Sequence, residues 1–350
     1  MSGTILIYGA NGYTGKLIAR TAVDRGADPV LAGRSFMKVK AVAEKLGLPG
    51  RAFDLGDAAA VDAALKQVSV VLSAAGPFSA TFRPMVDACI RNRVHYLDIT
   101  GEIDVFEAIA ARDAEARSAG VTLLPGVGFD VVPSDCLAAH LKRRMPDAND
   151  LKLYFSHGAN FSRGTARTMV ETIAAGTRLR RSGRIVSRDR AGAGSCDFGK
   201  GAKPTIQVSW GDVATAFHST GIPNIEAQFE ASPAVMGFAR TPRFVKSVLG
   251  LPLMQSLLKA QIDRLPEGPS EAARRIGRAI LVGVARNAKG ETVRSRLTTP
   301  EGYSLTAAAA FDAARRVAAG EVKPGFQTPS LAFGADYILS FGGVAREDPN

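Results

Sequence analysis

A short apolar run, Ile5-Leu6-Ile7-Tyr8, leads straight into Gly9-Ala10-Asn11-Gly12-Tyr13-Thr14-Gly15, and a helical pattern follows over Thr14–Arg25. Few local sequences restrict a fold so strongly. Glycine permits the tight turn and lets backbone come close to a pyrophosphate. The helix that opens there presents free N–H groups and a partial positive charge to an anion. The spacing is GxxGxxG. Strand before, helix after and a βαβ context together point to a dinucleotide site formed by Gly9, Asn11, Gly12, Tyr13, Thr14 and Gly15.

The pattern continues. Val30–Ala32, Ala52–Asp54, Val68–Ala74, Tyr96–Ile99 and Val121–Pro125 read as strands. Phe36–Leu46, Ala58–Gln67, Arg83–Arg93 and Ile103–Ser118 read as the helices between them. Strands alternating with helices of this length predict an α/β domain, a doubly wound parallel sheet of Rossmann type, over residues 1–130.

After Pro125 the pattern changes. A helix is expected from Pro133 to Arg144, a strand over Leu151–His157 and a helix over Thr165–Arg181. Ile206–Trp210 and Val213–Ser219 read as paired strands about Gly211-Asp212. Ile276–Arg286 and Thr292–Leu297 read as a hairpin about Lys289-Gly290. Residues 131–325 are therefore expected to form a second, α+β domain with a largely antiparallel sheet. A last helical stretch near Pro329–Leu339, within residues 326–350, is too short to stand alone and is expected to pack back on the first domain.

The second strand selects the nucleotide. NAD sites place an acid at its end to hold the ribose 2′-OH. Here the strand ends Leu31-Ala32-Gly33-Arg34-Ser35. Arg34 suits the 2′-phosphate of NADP, and Ser35 adds a hydroxyl. Asp54, after the third strand, is placed to flank the adenine. Ala75-Gly76-Pro77-Phe78, after the fourth, lets backbone approach the cofactor. Ligands of such sheets bind beyond the carboxyl ends of the strands, which is where these residues fall. None of the six tyrosines is followed four positions on by lysine, so the Tyr-x-x-x-Lys pair of short-chain dehydrogenases is missing.

With these residues in view the chain resembles the saccharopine dehydrogenase-like oxidoreductases, especially the branch of trans-acting enoyl reductases of lipid biosynthesis. The resemblance rests on Gly9–Gly15, Ala32-Gly33-Arg34, Ala75-Gly76-Pro77-Phe78, His95–Glu102 and Pro125–Asp135. Weaker similarity runs through Gly164-Thr165 and Gly221–Asn224 to Thr328-Pro329. The resemblance implies a Rossmann domain, an α+β domain, an active site in the cleft between them, hydride transfer with NAD(P)H, and a homodimer. It leaves the substrate open among enoyl, imine and carbonyl compounds. The defined arginines of the saccharopine enzymes cannot be placed in this chain. A non-catalytic NADP-binding sensor or interaction protein is the alternative.

A reductase must also manage one proton. Glu102, Tyr96 and Asp130 are the foremost candidates, with Asp98 and Thr100 beside them and Ser134 and His157 further out. Asp130 and Ser134 could equally cap the helix near Pro133.

The three cysteines and four histidines are scattered, so no metal site is expected. The apolar run Thr4–Tyr8 leads directly into glycines and reads as a strand, so no leader is expected there. Phe244–Leu258 holds Lys246 and Pro252 and is too short to span a bilayer, so a cytoplasmic protein is expected. The net charge is +11, and Arg178, Arg180, Arg181, Arg184, Arg188 and Arg190 fall in one window. A solvated helix end explains them. Attraction of an acidic carrier, a membrane surface or a phosphate-bearing substrate is the functional reading. Nucleic acid is not expected, since no aromatics interleave with these arginines. A small molecule, acyl or lipid-derived compounds included, is the expected substrate.

Overall fold

The computed structural model describes residues 3–157, 162–163, 176–232, 236, 251–262, 264 and 266–349. They divide into two compact units, Met1–Val132 with Gly302–Phe341, and Pro133–Glu301 with Gly342–Asn350.

The first unit is a seven-stranded sheet. In chain order its elements are β1 (Ile5–Tyr8), α1 (Tyr13–Asp24), β2 (Val30–Gly33), α2 (Phe36–Leu46), β3 (Gly50–Ala52), α3 (Ala58–Leu65), β4 (Val70–Ser73), α4 (Phe78–Asn92), β5 (His95–Asp98), α5 (Ile103–Ala110), α6 (Asp113–Ala119) and β6 (Thr122–Leu124). The strand order is β6-β5-β4-β1-β2-β3, with the short Gly325–Phe326 strand added beside β6, and every pairing is parallel. Strands buried on both faces read as unbroken apolar runs, which is why β1, β2 and β4 were legible. Leu6 and Tyr8 of β1 pack on one face with α3–α6, and Ile5 and Ile7 on the other with α1 and the Gly302–Ala318 helix.

Several boundaries differ from expectation. The third strand is Gly50–Ala52, two residues earlier than read. Helix α4 begins at Phe78 rather than Arg83 and continues through Pro84. The single helix expected over 103–118 is two helices that meet at Ala111-Arg112. The Gly302–Ala318 helix was not anticipated. Its inward face is mostly alanine, Ala307, Ala309, Ala310, Ala313 and Ala314, which gives little hydrophobic contrast.

After Gly325–Phe326 the chain forms the Pro329–Phe333 helix, which Thr328 caps through the Leu331 N–H, and a 3-10 turn at Tyr337–Ser340. The Tyr337 hydroxyl donates to the Ala309 carbonyl at 3.3 Å, tying this segment to the first unit.

The second unit is a mixed, mostly antiparallel sheet. Helix α7 (Val132–Arg144) leads into β7 (Ala148–His157), and then β8 (Thr177–Arg181), β9 (Arg184–Arg188), β10 (Ala193–Asp197), β11 (Ala202–Val208), β12 (Asn224–Glu230), β13 (Arg278–Asn287) and β14 (Thr292–Pro300) follow. The order is β10-β11-β12-β7-β13-β14, closed by the Ala345–Glu347 strand, and only β12 with β7 is parallel. The β13–β14 hairpin is as the alternating pattern predicts.

Two expectations are overturned. Residues 177–181 form strand β8, not the end of a helix, and residues 165–175 of that expected helix lie outside the described residues. Val213–Ser219, read as a strand, lies in a helix, α8 (Asp212–Thr220). Its Val213, Thr215 and Thr220 suit a strand by type, but the buried set Val213-Ala214-Thr215-Ala216 has no period of two. The arginine window changes meaning accordingly. It sits on the β8–β9 hairpin, and Arg180 is buried there, donating to the Val213 and Gly183 carbonyls at 2.8 and 2.7 Å and lying over the Phe217 ring. Among the described residues, no helix is long and apolar enough to cross a membrane.

Candidate functional site

The carboxyl ends of β1–β6 gather the sequence-predicted residues at one edge of the first sheet. The turn after β1 is fixed by its glycines. The Gly9 and Ala10 N–H groups both donate to the Ala32 carbonyl, at 2.8 and 3.1 Å, and the Gly12 N–H donates to the Gly9 carbonyl at 3.0 Å. Gly9 has φ +83°, a conformation side chains rarely adopt, and a Cβ there would meet the Ala75 nitrogen at 2.8 Å. A Cβ on Gly15 would lie 2.3 Å from the Gly9 oxygen, so this glycine lets α1 pack directly on the turn. Gly12 is different. Its Cβ would meet only the Gly9 oxygen, at 3.3 Å, and the residue stands at the N-terminus of α1 with no side chain capping it. That leaves first-turn N–H groups for an anion. Asn11 lies over Gly33, where a Cβ would come within 2.8 Å of its Oδ1.

Arg34 follows β2 and is exposed, and the end of β2 itself carries no acid. Ser35 is the N-cap residue of α2, yet its side chain makes no capping hydrogen bond. Asp54 is exposed after β3 and accepts from the Gly56 N–H at 2.8 Å. These groups fit the adenosine half of NADP: a cradle that a Cβ would fill, an uncapped helix end for the pyrophosphate, and a guanidinium where an acid would repel a 2′-phosphate.

Around β5 the same edge is organised by a second network. Asp98 is fully buried. One of its oxygens accepts from the Thr100 and Gly126 N–H groups at 3.0 and 2.9 Å, and the other accepts from the Tyr96 hydroxyl at 2.8 Å. Burial pushes the Asp98 carboxyl up to about 6 despite these donors. Burial and the neighbouring Asp98 hold the Tyr96 phenol well above its ordinary value. Tyr96 is thus a buried donor to Asp98, and the pair ties the loops after β5 and β6 together.

Glu102 faces the start of α4. Its two carboxylate oxygens accept from the Phe78 and Ser79 N–H groups at 2.7 and 2.9 Å. Pro77, the N-cap residue, makes no side-chain capping bond, so Glu102 caps this helix from the neighbouring loop and fixes Ala75-Gly76-Pro77-Phe78. Charge-assisted bonds of this kind contribute about 1.5–3 kcal/mol. Glu102→Ala is therefore expected to lower stability by roughly that amount and Glu102→Gln, which keeps one acceptor, by about half; urea denaturation of the three proteins tests it.

Asp130 is half-buried beside the Gly101 backbone, where a Cβ would come within 3.1 Å of its Oδ2. Burial pushes its carboxyl up to about 6. Ser134 is buried in the first turn of α7, and His157 ends β7, both within the second unit.

Two residues of this edge were missed in the sequence. Tyr303 packs edge-on against Tyr13, ring centroids 5.1 Å apart, and Thr306 accepts the Phe129 N–H at 2.9 Å. Both come from the Gly302–Ala318 helix, and no motif near residue 300 signals them. The Glu301-Gly302 step ahead of a helix-forming run was the only available cue.

Fold and edge together define a dinucleotide-binding unit of Rossmann class. Residues 5–124 match the family model described as "Saccharopine dehydrogenase NADP binding domain", so this stretch of the first unit is similar to an NADP-binding domain of that type. The chain is 30% identical over 161 residues to a human saccharopine dehydrogenase-like oxidoreductase, covering 40% of this chain and 38% of the relative. It is 32% identical over 148 residues to a trans-acting enoyl reductase of Mycobacterium ulcerans, covering 40% and 35%. The matches thus span well under two thirds of these relatives' lengths. A solved structure of apo saccharopine dehydrogenase (L-Glu forming) from Saccharomyces cerevisiae superposes with TM-score 0.67 over 99% of this chain and 100% of that one, at 15% identity, which establishes a common fold.

Proposed function

We propose that the chain is an NADPH-dependent reductase acting on a small enoyl, imine or carbonyl compound, with acyl or lipid-derived enoyl substrates the preferred class. The observation that carries the reading is Arg34. It stands beside the uncapped Ser35 at the end of β2, next to the glycine cradle, where an NAD site would have an acid. The enoyl preference rests on likeness to the trans-acting enoyl reductase.

Bound NADPH supplies the hydride. The chain supplies positioning and the proton. The Gly12 end of α1 binds the pyrophosphate, and Arg34 with Ser35 binds the 2′-phosphate. Glu102 holds the Ala75–Phe78 loop, and Asp98 holds the loops at Thr100 and Gly126. Burial raises the Asp130 carboxyl to about 6, so its protonated fraction, which grows as pH falls toward 6 and below, delivers the proton to the substrate atom that gains electrons.

The test is a fluorescence titration with NADPH and NADH, in wild type and Arg34→Ala. Wild type is expected to prefer NADPH. Loss of a charge-assisted contact should weaken NADPH binding in the variant about 10–100-fold and leave NADH unchanged. Failure of either nucleotide to bind wild type overturns the reading. Tight NADPH binding without oxidation of NADPH by any enoyl, imine or carbonyl substrate would leave the sensor alternative standing.

A further inference from the structure

The second unit holds a charged cavity that hydride transfer does not use. Gly283 of β13 pairs with Leu153, and a Cβ there would touch Leu141 of α7, so Leu151, Leu153 and Phe155 face that helix. Side chains alternate along a strand, which sends Asp150, Lys152 and Tyr154 to the opposite face. A cavity of about 540 Å³ opens on that face, lined by these three residues together with Arg181, Glu226 and Arg286. The volume is in the range of small-molecule sites, roughly 300–1,000 Å³.

Its charges are mixed, and three of the five make no direct contact with an opposite charge. Arg181 forms an ion pair with Glu226 and is also held by the charge of Asp150 nearby. The side chains of Asp150, Lys152 and Arg286 make no hydrogen bond or ion pair among the described residues. Register makes Arg286 the direct cross-strand partner of Asp150, and Lys152 is the next residue on the same face. Opposite charges so placed ordinarily meet. Here they instead border open space, with Asp150 and Lys152 only half-exposed.

We propose that this cavity binds a small zwitterionic amino carboxylate, its carboxylate against Lys152 and Arg286 and its ammonium group against Asp150. A ligand carrying both signs satisfies all three side chains at once. A simple anion leaves Asp150 opposed to it, and a simple cation leaves Lys152 and Arg286 so. The site lies wholly within the second unit and is independent of the nucleotide reading.

Isothermal titration of the full chain with γ-aminobutyrate, butyrate and butylamine tests this, because the three probes share a carbon chain and differ in charge. The expected result is saturable binding of γ-aminobutyrate, at least about 10-fold weaker for each singly charged analogue. Asp150→Asn and Lys152→Met should each abolish the preference while NADPH binding in the same samples stays unchanged. Equal binding of butyrate and γ-aminobutyrate overturns the proposal, because Asp150 then takes no part. So does no heat from any probe at millimolar concentration, which would make the cavity a solvated charged face.

Discussion

Gly15→Ala is expected to destabilise the first unit by about 3 kcal/mol and to abolish measurable NADPH binding, although the change adds one methyl group. The new carbon would lie 2.3 Å from the Gly9 oxygen and 2.8 Å from the Ala10 Cα, both backbone atoms that no rotamer change can move aside. Helix α1 would have to lift from the turn. The turn itself is fixed by two N–H bonds to Ala32 and cannot follow. Gly12→Ala separates folding from binding. Its Cβ would meet only the Gly9 oxygen at 3.3 Å, and its φ of −74° suits any residue, so stability should change by less than about 1 kcal/mol. The methyl group would nevertheless occupy the approach of a pyrophosphate to the helix end, and NADPH should bind at least about 10-fold more weakly. Urea denaturation followed by circular dichroism reads the first effect, and NADPH fluorescence the second. If Gly12→Ala binds NADPH as wild type does, the pyrophosphate does not lie over this turn. If Gly15→Ala folds with unchanged stability, the close approach of α1 is not required.

The same contrast shows what a sequence can display. Gly9, Gly12 and Gly15 are visible as a spacing, and the spacing implies a turn, because only backbone geometry demands glycine there. Arg34 is visible because an expected acid is missing. Strands β1, β2 and β4 are visible as apolar runs because both their faces are buried, whereas the mostly exposed β3 is not. By contrast, the α8 segment misleads because β-branched residues can line a buried helix once tertiary packing outweighs propensity.

Glu102 is legible as a polar residue at the right strand end, but not in its contacts. Only three dimensions place both its oxygens on the N–H groups of Phe78 and Ser79. Tyr303 and Thr306 are invisible for a related reason. They reach the edge through a helix more than 160 residues beyond β6 in sequence, and its alanine-lined face carries no sharp periodic signal. The cavity between β7, β12 and β13 is likewise a product of register. Asp150 and Arg286 become neighbours only through pairing that no local pattern encodes.

Asp130→Asn is expected to stabilise the protein at pH 8, leave it unchanged near pH 4, and slow substrate reduction by about 10²–10⁴-fold. The folded protein holds the Asp130 carboxyl at about 6 against an ordinary 3.8, because burial disfavours its charged form. Between those two values the native state binds more protons than the unfolded chain. Stability from this group is therefore greatest in acid and falls as pH rises through 6. Asparagine cannot ionise and removes the fall. The full shift corresponds to about 3 kcal/mol, which solvent access to a half-buried group reduces to about 1–2 kcal/mol. Asp98→Asn separates the roles. Asp98 is also raised to about 6, but it accepts from Thr100 and Gly126, and an amide that keeps one acceptor forfeits part of that network. Its replacement should therefore destabilise across the whole range, whereas Asp130→Asn stabilises at high pH alone. For the rate, wild-type reduction should decline as pH rises past 6, and the Asp130→Asn rate should be low and flat. Denaturation midpoints from pH 4 to 8 and the oxidation of NADPH over the same range measure both. A rate that still falls above pH 6 in Asp130→Asn would place the proton on another group, while the stability crossover would still report the burial of Asp130.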